Sequence, residues 1–152
     1  MDPFDNIYVV DKRPFSFFSP PILKFSGNGT FIKYNVINNQ TTGTGINHVP
    51  KDIATDSHGN LYVLNNFPIS CFSSFSSNGL SFSYCNGGSV QKFSSEGVFV
   101  SSIINASRGP DGIEIFPENM DVDSFDNVYI TDASSNQIFV LAPNKTSAIP
   151  FN

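Results

Sequence analysis

Apolar and polar positions along the chain follow a short, repeated scheme. In Asp121-Val-Asp-Ser-Phe-Asp-Asn-Val-Tyr-Ile-Thr-Asp132, β-branched Val122, Val128 and Ile130 flank a cluster of turn-forming residues. That pattern predicts strand, tight turn, strand. The scheme recurs as Asp52-Ile-Ala-Thr-Asp-Ser-His-Gly-Asn-Leu-Tyr-Val-Leu-Asn65, and again as Asp2-Pro-Phe-Asp-Asn-Ile-Tyr-Val-Val-Asp11. Superposed, Asp2, Asp56 and Asp123 coincide, as do Asn6, Asn60 and Asn127, then Tyr8, Tyr62 and Tyr129. Asp11, Asn65 and Asp132 close each copy, and in the third Asn136 follows in a compact loop. The leading Asp is expected to accept backbone N–H groups one or two residues on. The Gly59-Asn60 and Asp126-Asn127 pairs are expected to adopt positive φ in a primed hairpin turn. On the same reasoning, Asn127→Val forces a β-branched residue into a positive-φ position.

Further strands follow each hairpin. Lys24-Phe-Ser-Gly-Asn-Gly29 and Lys92-Phe-Ser-Ser-Glu-Gly97 are copies of one another, each followed by an apolar stretch. The chain thus divides into three units, 2–35, 50–104 and 117–152, within one domain of 1–152. The first lacks its opening strand. The second carries an insertion at 66–89, and the third has room for a last short strand after Asn144. No stretch sustains a helical period, so the fold class is all-β.

Four short strands per repeat is the unit of a β-propeller. The third unit, Pro117-x-Asn-Met-Asp-Val-Asp-x-x-Asp-Asn-Val-Tyr-Ile-Thr-Asp-x-x-x-Asn136-x-Ile138, resembles the NHL repeat. The resemblance implies a partial β-propeller of three blades of four-stranded antiparallel sheet, the first incomplete, drawn from what is usually a six-bladed ring. It also implies a structural turn role for Asp2, Asn6, Asp56, Asn60, Asp123, Asn127, Asp132 and Asn136. A basic residue that the family often carries after the Asn is here Gln137, which removes the basis for a basic binding face. Met1 aligns with Thr55 and Val122, inside a strand, so the chain is expected to be either a fragment or a half-ring that pairs with a second copy through its open blade edges.

Composition narrows the chemistry. Net charge is −5, with eight Lys and Arg scattered along the chain, an arrangement unlike the clustered cations that bind a nucleic-acid backbone. No apolar run approaches the roughly 18 residues of a membrane span. Asp56, Asp121, Asp123 and Asp126 are the candidates for a hard cation such as Ca²⁺, but without EF-hand spacing; their simpler role is to accept turn N–H groups. His48 and His58 are the two histidines, one in a linker and one at a hairpin tip, where Phe4 and Phe125 stand in the other repeats.

Cys71 and Cys85 bracket the insertion and are either a disulfide or two free thiols; a closed loop of about 15 residues would be worth roughly 3 kcal/mol in an oxidising compartment. Together with glycosylation sequons at Asn28, Asn39, Asn105 and Asn144, they lean towards an extracellular or cell-surface setting. Phe is abundant, at 16 residues, and concentrates in two loops. Phe15, Phe17 and Phe18 occupy one, and Phe72, Phe75 and Phe82 the other. Both lie between the second and third strands of neighbouring blades, on one face of the expected propeller, where they would meet a protein partner or fold back on themselves. The expectation is a non-enzymatic binding module without a cofactor. The alternative is a fragment of a metal-dependent propeller lyase or hydrolase.

Overall fold

A computed structural model describes residues 1–11, 22–34, 36–37, 49–72, 82–104, 116–133, 135–143, 145 and 149–151; for 49, 66–72 and 82–87 only the backbone is described. The protein is all-β, built as three antiparallel sheets in a partial propeller-like arrangement. Blade 1 comprises β1 (Ile7–Val10), β2 (Ile22–Phe25) and β3 (Phe31–Lys33). Blade 2 comprises β4 (Val49–Thr55), β5 (Leu61–Phe72), β6 (Phe82–Phe93) and β7 (Phe99–Ile104). Blade 3 comprises β8 (Pro117–Val122), β9 (Val128–Asp132), β10 (Gln137–Leu141) and β11 (Ile149–Pro150). In each sheet strand order follows chain order, and every pair of neighbouring strands is antiparallel. Among the described residues no helix is long and apolar enough to cross a membrane.

Among the described residues one turn is used five times, at 2–6, 26–30, 56–60, 94–98 and 123–127. In each, the fourth residue's amide donates to the first residue's carbonyl, and the first residue's amide donates to the fifth's carbonyl, at 2.8–3.1 Å. Only the fourth position has positive φ: Asp5 at 60°, Gly29 at 84°, Gly59 at 77°, Gly97 at 82° and Asp126 at 63°. This is the three-residue hairpin loop, a type I turn followed by one left-handed residue. The primed turn expected from the sequence is therefore corrected, because a loop of three residues needs a single left-handed position. That position is Asp126, and Asn127 is not strained.

Period-2 alternation sends each blade's side chains to its two neighbours. One core cluster joins blades 1 and 2: Ile22, Val36 and Ile37 meet Leu61, Val63 and Phe93, with Tyr8, Val10, Ile53 and Phe99 packed around them. A second joins blades 2 and 3, where Tyr62, Leu64, Val90 and Ile104 meet Met120, Val128, Ile130, Phe139 and Leu141. The innermost strands are also tied: the Met120 amide donates to Asp52 Oδ2 at 2.9 Å, and Lys51 pairs with Glu118 at 2.5 Å. Close approach fixes two glycines. A Cβ on Gly97 would collide with the Val36 carbonyl oxygen, and one on Gly88 with Pro117 Cγ.

The stretch read as an insertion is largely strand. β5 and β6 stay paired from Leu61↔Phe93 to Phe72↔Phe82, so the blade's two middle strands run straight into it.

Candidate functional site

The repeated Asp gathers the polar residues of each first hairpin into one cluster. Asp2 Oδ1 accepts the amides of Phe4 and Asn6 at 2.9 and 2.8 Å, while Oδ2 accepts Asn6 Nδ2 and the Tyr8 hydroxyl at 2.8 and 2.9 Å. Asp56 Oδ1 takes the His58 and Asn60 amides at 3.0 and 2.8 Å, and Oδ2 takes Asn60 Nδ2 at 2.8 Å. Asp123 does the same with Phe125, Asn127 and Tyr129 at 2.9–3.1 Å. The amide two residues beyond the Asp is bound as expected, and the second lies four residues on rather than one, because the fifth residue's N–H turns back into the loop. Burial raises the pKa of Asp2 and of Asp56, but the hydrogen bonds outweigh it and both end below the ordinary 3.8. Asp123 is lowered chiefly by the Asn127 side chain.

Cross-strand register adds a member that its sequence position alone does not reveal. Tyr8 pairs with Lys24 and Tyr62 with Lys92, whereas Tyr129 pairs with Val140. Each lysine sits over the tyrosine ring, at 5.3 Å from the centroid for Lys24 and 4.9 Å for Lys92. Lys92 Nζ also lies 3.1 Å from Asp56 Oδ2. Burial alone would lower the Lys92 pKa; contacts with Tyr62 and Asp56 reverse that and raise it. In blade 3 an aromatic contact takes the lysine's place, with Phe151 edge-on to Tyr129 at 6.4 Å. The signal in the sequence was the repeated Lys-Phe-Ser at Lys24 and Lys92.

Asp132 Oδ1 accepts the Phe116 amide at 2.6 Å and Oδ2 accepts the Ser135 amide and hydroxyl, closing the loop in which Asn136 has φ 54°. Asn65 holds the equivalent place in blade 2. It is buried, donates to Gln91 Oε1 at 3.2 Å, and its Oδ1 accepts no hydrogen bond from the described residues.

Neighbouring turns are clipped together. Asp126 accepts the Ser57 amide at 2.6 Å and the Ser57 hydroxyl at 2.7 Å, with His58 Nδ1 3.3 Å from the same carboxylate. Ser, His and Asp meet here without the geometry of a nucleophilic triad, since Ser57 Oγ lies 3.2 Å from the same Nδ1 that faces Asp126. Asp121 and the other carboxylates expected as cation candidates do not converge, and no group of three His, Cys, Asp or Glu able to hold a metal occurs among the described residues. A cavity of about 240 Å³ opens between blades 2 and 3, walled by Tyr62, Lys92, Ser101, Leu141, Pro143 and Lys145.

Phe15, Phe17, Phe18 and Phe75, together with His48, lie outside the described residues. Phe72 and Phe82 are placed as the paired ends of β5 and β6, and the register sets Cys71 opposite Ser83 and Cys85 opposite Ile69. Whether the two cysteines are bonded concerns side chains outside that description. Compared with known family models and with characterised proteins, the chain matches none.

Proposed function

We propose that the chain is a segment of an NHL-type β-propeller that works by binding a protein partner rather than by catalysis. The observation that carries this reading is the two-stranded ribbon at one end of blade 2. β4 accompanies β5 only as far as Val49↔Asn66, and β7 accompanies β6 only as far as Val90↔Ile104. The pair β5 and β6 nevertheless continues from Phe67↔Gly87 to Phe72↔Phe82. Among the described residues neither outer edge of that ribbon has a third strand, and such edges template strand addition by a partner. A bare two-stranded ribbon is marginal in water, which favours a role in contact over one in support. The connection carrying Phe15, Phe17 and Phe18 departs from the same end of the neighbouring sheet, at the pair Val10↔Ile22. The repeated carboxylates, by contrast, are occupied with turn N–H groups.

Replacing 67–87 by a two-residue Asn-Gly turn tests the reading. In quantitative cross-linking with mass spectrometry, the shortened chain should keep its melting temperature and lose the partner cross-links of the native chain. Partner cross-links unchanged by the deletion would refute it.

A further inference from the structure

The two end faces of the arc are the two halves of a junction that the protein already makes twice. At that junction one blade presents a face built on Tyr and the next presents a face built on Leu or Val. Register defines the equivalences. Tyr8, Val10, Ile22 and Val36 of blade 1 correspond to Tyr62, Leu64, Val90 and Ile104 of blade 2, and to Tyr129, Thr131, Ile138 and Phe151 of blade 3. The opposite face runs Ile7, Val9, Phe25 and Phe31 in blade 1, and Leu61, Val63, Phe93 and Phe99 in blade 2. Even the edge-on ring pair is copied: Phe25 with Phe31 at 5.6 Å, Phe93 with Phe99 at 5.9 Å.

Burial at equivalent positions differs sharply between the internal junctions and the ends. Ile22 and Val90 are 0% exposed, yet Ile138 is 41% exposed; Val36 and Ile104 are 1% and 2%, yet Phe151 is 62%. On the other face Val63 is 0% exposed, yet Val9 is 42% and Phe31 is 53%. Among the described residues the end faces are thus largely apolar, without a partner and of opposite type, so the face at blade 3 fits the face at blade 1 of another copy. Such a head-to-tail contact either closes or runs on as a filament. Propellers close with roughly four to eight blades, and six is the only multiple of three in that range.

We infer that two copies of this chain join through two identical junctions, blade 3 of each seated on blade 1 of the other, to form one six-bladed ring. The inference rests on the repeat and is independent of the partner proposed above. Among the described residues blade 1 has no counterpart of β4 and β8, so each new junction is expected to lack the inner-strand ties seen between blades 2 and 3 and to dissociate on dilution.

Light scattering after size exclusion tests this, with reductant present so that Cys71 and Cys85 cannot link chains. Native protein should show a two-chain mass that falls towards one chain on dilution. Val9→Lys and Ile138→Glu should each give one-chain masses, because every copy contributes both faces to the ring. Mixing the two variants should restore the two-chain mass, since one junction is then native and the other pairs Lys with Glu; a misfolded variant would not be rescued this way. A one-chain mass for folded native protein at every concentration would overturn the inference. So would masses that climb past two chains, or single variants that still dimerise.

Discussion

Asp56→Ala is the most informative substitution, because it withdraws one carboxylate from five groups at once. The Asp56 side chain is 2% exposed and that of Lys92 is 23%, so the charge left behind on Lys92 is only partly hydrated. Removing one partner of a buried pair costs about 3–5 kcal/mol. Losing a charged acceptor for the His58 and Asn60 amides would add about 1.5–3 kcal/mol each if they were dry. His58 is exposed, Asn60 is half-buried and the Lys92 side chain is partly exposed, so hydration offsets part of these costs and a net loss of about 3–5 kcal/mol is expected. That is a large share of the roughly 5–15 kcal/mol ordinary for a folded protein. At about 2–4 °C per kcal/mol, the melting temperature should fall by about 6–20 °C.

Urea unfolding followed by circular dichroism, at one fixed protein concentration, measures the loss. Asp56→Asn retains an acceptor for both amides while giving up the charge, and should fall between native and Asp56→Ala. A double-mutant cycle with Lys92→Met isolates the ion pair, with a coupling of about 0.5–3 kcal/mol expected for side chains in contact. A loss under about 1 kcal/mol for Asp56→Ala would refute the claim that this carboxylate holds the hairpin together.

Asp5 sits at φ 60° on the surface, so Asp5→Val should cost about 1–3 kcal/mol while Asp5→Gly leaves the melting temperature level or raised. Gly97→Ala drives a methyl into the Val36 carbonyl at φ +82°, and a loss of at least about 2 kcal/mol is expected in the same urea assay. Asn127→Val removes the Nδ2 donor to Asp123 but meets no positive φ, so it should destabilise less than Asp5→Val does. Because Asp2, Asp56 and Asp123 have pKa values below 3.8 in the fold, their contribution is present above pH 3.8 and is lost as pH falls through those lowered values. Lys92 and Tyr62 are raised instead, so theirs is present below pH 10 and is lost as pH rises through the raised values. Urea midpoints measured from pH 2 to 12 should therefore fall off at both ends, and a midpoint already falling between pH 6 and pH 4 would contradict the carboxylate assignment.

The division into strands and turns was legible in the chain because both depend on neighbours in sequence. Alternating β-branched residues, a turn-forming cluster and a leading Asp specify a hairpin locally, and the repetition of that cluster from Asp2 to Asp132 announced three sheets. Some of the turn chemistry escaped. Asp126 rather than Asn127 takes the left-handed conformation, since loop length is set by where the flanking strands pair. The long pairing of β5 and β6 escaped for a similar reason: Pro68 and Gly87-Gly88 are breaker signals that point to a loop, and register with the blade carries the Phe-, Tyr- and Ile-containing stretch into the ladder all the same.

What the sequence by itself determined is the repeated unit: strand alternation, the Asp-centred turn and the identity of each blade's two faces. What only the tertiary structure decided is what those faces meet. Ile22 and Ile138 occupy equivalent positions and are both isoleucine, yet one is fully buried and the other is 41% exposed. Lys92 beside Asp56 and Tyr62, the Asp126 clip on Ser57, and the fit of Gly97 under Val36 depend likewise on residues remote in the chain. Local propensity acts through backbone conformation within a few residues, whereas burial and ion pairing depend on which surfaces the finished sheets bring together.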